Sequence, residues 1–105
     1  MKRIYHKLIR DRIPEIIETQ GQCCIVKQLS DEEYLKMVDA KLDEELAEYH
    51  KDQNLEELAD LLEVIFAATE ARGFTREQLE WVRAEKEAQR GAFHKRLLLL
   101  EIQDS

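Results

Sequence analysis

Residues that interrupt helices are scarce in this sequence. Its 105 residues include only three glycines and one proline, and no linker rich in either residue divides the chain. With 44% hydrophobic and 37% charged residues, the composition is that of a globular protein and not of a disordered one. Good helix formers dominate, so residues 1–105 are expected to fold as one mainly α-helical domain.

Cysteine and long apolar runs are also scarce. Cys23 and Cys24 are adjacent, which is the spacing of neither a CxxC redox pair nor a zinc site, so reduced thiols in a cytoplasmic protein are expected. The longest leucine run, residues 97–100, falls far short of the roughly 18 residues that cross a membrane. No apolar segment follows the basic residues at positions 2 and 3, so the sequence predicts neither a signal peptide nor a membrane partner.

Basic residues are fewer than acidic residues in this sequence. Sixteen basic residues face 23 acidic ones, for a net charge of −7. A nucleic-acid polymer is therefore not an expected partner, since phosphate contacts need clustered Lys and Arg.

Helix-terminus signals predict four helices. Pro14 suits the first turn of a short helix over residues 14–20, whose isoleucine face is expected to dock on the core. Capping sequences at Ser30, Asn54 and Thr75 predict three longer helices. These longer helices are expected to span about residues 31–50, 55–72 and 76–90.

Two other segments have the composition of strands. Residues 23–29 contain small and β-branched side chains, and residues 97–102 are almost entirely aliphatic. They are expected to pair as a small two-stranded sheet beside the helices.

The most informative stretch is residues 41–64, which holds two near-copies of one pentapeptide, EELAE and EELAD. Each copy ends in two acids three residues apart, Glu45 with Glu48 and Glu57 with Asp60. On two antiparallel helices joined by a short loop, Glu48 lies level with Glu57, and Glu45 with Asp60. Four facing carboxylates would repel one another, and Mg²⁺, with Mn²⁺ as a substitute, would offset that repulsion. The alternative is a solvated acidic face with surface ion pairs such as Lys41–Glu45.

The same stretch resembles the EExxE…ExxD signature of the all-α nucleoside triphosphate pyrophosphohydrolases, which include MazG-like enzymes and phosphoribosyl-ATP pyrophosphohydrolase. Two flanking motifs extend the resemblance. KLIRDRIPE at 7–15 is similar to the KLVRDKIPE opening of a short MazG-like subgroup, and RGAFHKR at 90–96 is similar to its RGGFxKR ending. Only eight residues separate the acidic motifs, fewer than is usual in that family, so a minimal loop is expected.

The resemblance implies an all-α helical bundle that converts an NTP or dNTP to a monophosphate and pyrophosphate, as house-cleaning of non-standard or surplus nucleotides. It implies that Glu44 orients or deprotonates the attacking water, although Glu44 can also be an exposed acid beside Lys41. The implied metal ligands are Glu45, Glu48, Glu57 and Asp60. The implied phosphate-binding cations are Lys7, Arg10, Arg12, Lys86, Arg90, Lys95 and Arg96.

Two alternatives stay open at this point. One is phosphoribosyl-ATP hydrolysis in histidine biosynthesis, and the other is a catalytically silent helical module that binds a partner protein. The third predicted helix is apolar around most of its circumference, more than one short chain can cover, so a homodimer or higher homo-oligomer is expected.

Overall fold

The computed structural model of this chain describes residues 2–104. Its four helices are α1 (Ile13–Thr19), α2 (Asp31–Asp52), α3 (Leu55–Ala71) and α4 (Arg76–Arg90). The expected mainly α-helical class is confirmed, and the expected helix ends differ from the observed ones by no more than about two residues. None of the helices in this part of the chain has the length and apolar character needed to cross a membrane.

The long helices begin where their capping sequences predict. At α2, Ser30 accepts the backbone N–H of Glu33, while the Glu33 side chain accepts the backbone N–H of Ser30. The Lys27 ammonium also donates to Glu33, at 2.8 Å. This hydrogen bond from Lys27, followed by those from Ser30, lowers the pKa of Glu33 to about 2. Asn54 caps α3, and a second capping box at Thr75 opens α4.

A tight turn joins α2 to α3 as an antiparallel hairpin. Gln53 takes up a left-handed conformation with φ 51°, and its N–H donates to the carbonyl of Tyr49 at 2.7 Å. Asn54 then caps the next helix, so the turn is as short as expected. Val38 of α2 and Val64 of α3 are the buried apolar side chains of the described chain, and both belong to this hairpin. The hairpin is therefore the centre of the fold.

The expected two-stranded sheet is wrong. No strand lies among residues 2–104, and segments 23–29 and 97–102 are irregular and do not pair. Ile25 is fully exposed, and the aliphatic side chains of the second segment are 75–85% exposed. The composition of these two segments favours a β-strand, but a strand also needs a second backbone about 4.8 Å away with which to form hydrogen bonds. The helices hold these two segments apart, so neither segment supplies the backbone with which the other could pair.

The first helix does not dock as expected. Among the described residues, helices pack only as α2 with α3 and α3 with α4, and α1 packs against none of them. Ile16 is 45% exposed, Ile13 and Ile17 are half-buried, and α1 has no buried residue, so the expectation that the isoleucine face docks on the core is wrong. Ion pairs hold the preceding segment to the hairpin instead, Arg10 to Asp60 and Lys7 to Glu44. The positions of charged side chains therefore decide how the segment before α1 contacts the hairpin, and the periodicity of apolar residues does not predict those positions.

Candidate metal centre between α2 and α3

The hairpin brings acids of both helices together. Oxygens of Glu45, Glu57 and Asp60 lie within 4.8 Å of one another. Glu45, from α2, is buried, whereas Glu57 and Asp60, from α3, are half-buried. Because the turn is tight, residues at matched distances from it face each other across the gap. The level placement expected for Glu45 and Asp60 is thus present in the structure.

A second group of acids shares one member with the first. Oxygens of Glu48, Asp52 and Glu57 also lie within 4.8 Å of one another. The four predicted ligands therefore form two overlapping groups that meet at Glu57, instead of one four-residue cluster. Asp52 lies beyond the end of the helix that the sequence predicts over residues 31–50, whereas α2 continues to Asp52 in the structure. Its spacing of four residues from Glu48 is the signal that a longer helix would have revealed.

The donor set fits a hard divalent cation. All the ligand atoms are carboxylate oxygens, which Mg²⁺ prefers, and no His or Cys belongs to either group. Octahedral Mg²⁺ binds oxygens at about 2.1 Å, so opposite ligands lie roughly 4.2 Å apart. Adjacent ligands lie roughly 3.0 Å apart, so the side chains of Glu45, Glu57 and Asp60, whose oxygens lie within 4.8 Å of one another, would have to rotate closer together to bind one ion.

Charge compensation within the cluster is uneven. Glu45 pairs with Lys41 at 3.3 Å, and Asp60 pairs with Arg10 at 2.7 Å. No ion pair within residues 2–104 reaches Glu57. Burial, and then the nearby charges of four acids, raise the pKa of Glu57 above its usual value. Those acids, in decreasing order of effect, are Asp60, Asp52, Glu48 and Glu45.

Glu44 lies beside two ammonium groups. Lys41 approaches its Oε1 atom at 3.4 Å and Lys7 approaches the same atom at 3.5 Å. Lys41 also contacts Glu45, so it connects the predicted base to the predicted metal ligand. Both contacts go to Oε1, so neither lysine occupies Oε2.

The predicted phosphate-binding cations divide by position in the chain. Lys7 and Arg10 reach the acidic cluster, whereas Arg12 pairs within its own segment with Glu15 at 3.3 Å. The predicted phosphate-binding cations on α4 and on the segment after it are exposed and form no ion pair or side-chain hydrogen bond within the described chain. These cations are Lys86, Arg90, Lys95 and Arg96.

Replacement of Glu57 by Gln tests the electrostatics of the cluster in metal-free protein. Because the pKa of Glu57 is higher in the folded than in the unfolded protein, its ionised form destabilises the fold at a pH above the folded-state pKa. This destabilisation vanishes as the pH falls below the pKa of the unfolded state, where Glu57 is protonated in both states. With EDTA present, Glu57→Gln should raise the melting temperature at pH 7.5, and the gain should disappear toward pH 4. Glu56→Gln, an exposed neighbour, serves as the control and should show no such pH dependence. A Glu57→Gln gain that persists at pH 4 would contradict the assignment.

Comparison with known proteins identifies one related stretch. A Mycolicibacterium smegmatis protein described as an uncharacterized protein is 55% identical to this chain over 42 residues. The match covers 40% of this chain and 43% of that relative, so it spans less than half of either protein. No family model matches the chain. No solved structure matches it either.

Proposed function

We propose that this protein is a Mg²⁺-dependent nucleotide pyrophosphohydrolase, which hydrolyses a nucleoside triphosphate to a monophosphate and pyrophosphate. The observation that carries the proposal is the convergence of Glu45, Glu57 and Asp60 from two helices, with the Arg10 guanidinium beside them. Three carboxylates suit a metal that also binds phosphate oxygens, and an adjacent arginine suits the phosphates themselves. The resemblance of the acidic and flanking motifs to MazG-like sequences supports the same proposal.

Each residue of the cluster then has a defined task. Glu45, Glu57 and Asp60 hold Mg²⁺, and Glu48 and Asp52 extend the acidic group on the Glu57 side. When bound, the ion supplies neutralisation of the triphosphate charge that builds up during phosphoryl transfer. The protein contributes fixed geometry, because its ligands lie on two packed helices.

Cations and a base complete the proposed chemistry. Arg10 holds its guanidinium 2.7 Å from Asp60, where it can also donate to a phosphate oxygen. Lys7 and Lys41 engage Oε1 of Glu44, so Oε2 is left to accept a hydrogen bond from the attacking water. Attack of that water at the α-phosphorus breaks the α–β bond and releases pyrophosphate. House-cleaning of non-standard or surplus nucleotides is the role that we propose for this reaction.

Product analysis tests the bond that is cleaved. A panel of nucleoside and deoxynucleoside triphosphates incubated with protein and Mg²⁺ should yield monophosphate and pyrophosphate in equal amounts. Release of diphosphate and inorganic phosphate as first products would refute the proposed bond choice. Failure to hydrolyse any triphosphate, with no calorimetric heat of Mg²⁺ binding, would instead favour the silent helical module.

Asp60→Asn tests the metal ligands. The change keeps the side-chain shape but removes a charged ligand, so hydrolysis should fall by orders of magnitude, since metal stabilisation is worth several kcal/mol. Without metal the variant loses a half-exposed ion pair with Arg10, worth about 1 kcal/mol or less, and also the repulsion between Asp60 and Glu57, so its stability should change little. Glu56→Gln is the matched control and should keep its activity. Activity, and melting temperature with and without Mg²⁺, are the measurements. An active Asp60→Asn protein that Mg²⁺ stabilises as strongly as the parent would remove Asp60 from the site.

We also propose that the working protein is a homodimer or a higher homo-oligomer. Its radius of gyration is 18.7 Å, against about 13 Å for a compact domain of this length. Its accessible surface is 10028 Å², whereas a compact monomer of this mass exposes about 6,100 Å². The excess is roughly 3,900 Å² per chain, or about 7,800 Å² for two chains, which is more than the roughly 2,000–5,000 Å² that obligate dimers bury over both chains. A second copy is therefore needed to cover what one chain leaves exposed.

Light scattering tests this assembly. At micromolar concentration the mass should be at least twice the 12.4 kDa of one chain. The mass should not change when Mg²⁺ is removed, because apolar surface and not the metal drives association. A folded 12.4 kDa species with a helical circular-dichroism spectrum would contradict the proposal.

A further inference from the structure

The segment after α4 is a second feature that the single chain leaves uncovered. Gly91 ends α4 with φ 83°, and residues 92–102, here called the apolar arm, continue without regular structure. Phe93 is 97% exposed, and the four leucines of residues 97–100 are 75–85% exposed. A row of aliphatic side chains this exposed marks a contact surface.

A matching surface lies along α3. Leu55, Leu58 and Leu62 have the spacing that aligns side chains on one helix face, and each is at least 43% exposed. We call these three residues the α3 stripe. Val64, which is buried, lies on the opposite side of α3, where α2 packs. The stripe therefore points away from the hairpin core.

We propose that the apolar arm of one copy lies along the α3 stripe of a second copy, so that each chain of a dimer gives one arm and receives one. This inference rests on the self-association proposed above. A turn closed by the hydrogen bond from the Arg96 N–H to the Phe93 carbonyl interrupts the arm. At about 3.3 Å per residue, residues 97–102 beyond that turn span roughly 20 Å, whereas the stripe is about 11 Å long. One arm is thus long enough to cover the stripe from end to end.

The path of α4 favours exchange over docking within one chain. Ion pairs and the cation–π contact between α3 and α4 in the described chain all come from Arg76, at the start of α4. Farther along α4, Trp81 and Val82 are exposed. The helix therefore leads away from α3, and the arm that follows is exposed instead of lying on its own stripe.

Charge complementarity supports the same pairing. Residues 31–71 contain 14 acidic and three basic residues, a net charge of −11. Lys95 and Arg96 lie inside the arm, between Phe93 and the leucine run. The arm thus presents cations to an acidic surface, in addition to covering apolar side chains.

Cross-linking between differently tagged chains tests the exchange. One chain carries Leu58→Cys and the other Leu98→Cys, both with Cys23→Ser and Cys24→Ser to remove the native thiols. A short bis-maleimide should join the two tags at least ten times more efficiently than when Glu80→Cys, an exposed position on α4, replaces Leu58→Cys. Equal yields for the two pairs would refute the exchange. A chain carrying both Leu58→Cys and Leu98→Cys that closes only on itself would refute it too.

A second measurement separates this inference from the proposals on which it rests. Leu98→Glu with Leu100→Glu should weaken the dimer at least tenfold by sedimentation, whereas Gln103→Glu, just beyond the arm, should not. If light scattering shows a dimer but these changes leave its dissociation constant unaltered, the exchange is wrong and the dimer stands. If no dimer forms at all, both fail. Neither outcome depends on nucleotide hydrolysis, which is assayed by its products.

Discussion

The tight turn at Gln53 and Asn54 is the constraint on which the rest of the structure depends. The left-handed conformation of Gln53 and the Asn54 cap reverse the chain without a flexible loop. The turn therefore fixes which residues of α2 lie opposite which residues of α3. One additional residue would rotate one helix by about 100° relative to the other and separate Glu45 from Asp60. The acidic site therefore requires a turn of this length.

Because the turn fixes these positions, repulsion among the acids must be managed by other groups. Lys41 pairs with the buried Glu45, and Arg10 pairs with the more exposed Asp60. Glu57 has no such partner, and the charges around it favour its neutral form. A cation bound at this point would interact most favourably with Glu57, because no ion pair of Glu57 within the described chain has to be broken first. Electrostatic imbalance and ligand geometry thus coincide at one residue of the hairpin.

The hydrophobic core of the described chain is small. Val38 and Val64 are its buried apolar side chains, too few to offset the conformational entropy that about a hundred residues lose on folding. In small domains this deficit is commonly met by disulfides, metals or association. The two cysteines are free, so disulfides do not make this contribution here, and the metal and the second copy that we propose would do so.

The sequence by itself determined the helices, their caps and the acids that lie level across the hairpin. Caps depend on residues three positions apart, and the level of a side chain depends on its distance from the turn, so both are local quantities. Only the tertiary structure decided that Asp52 joins the cluster, that Arg10 pairs with Asp60, and that α1 packs on no other helix. Likewise, the two segments with strand-like composition remain unpaired, because pairing requires two distant segments to meet in space. Periodicity along a chain records which faces are apolar, but what covers each face depends on the paths of the elements between them.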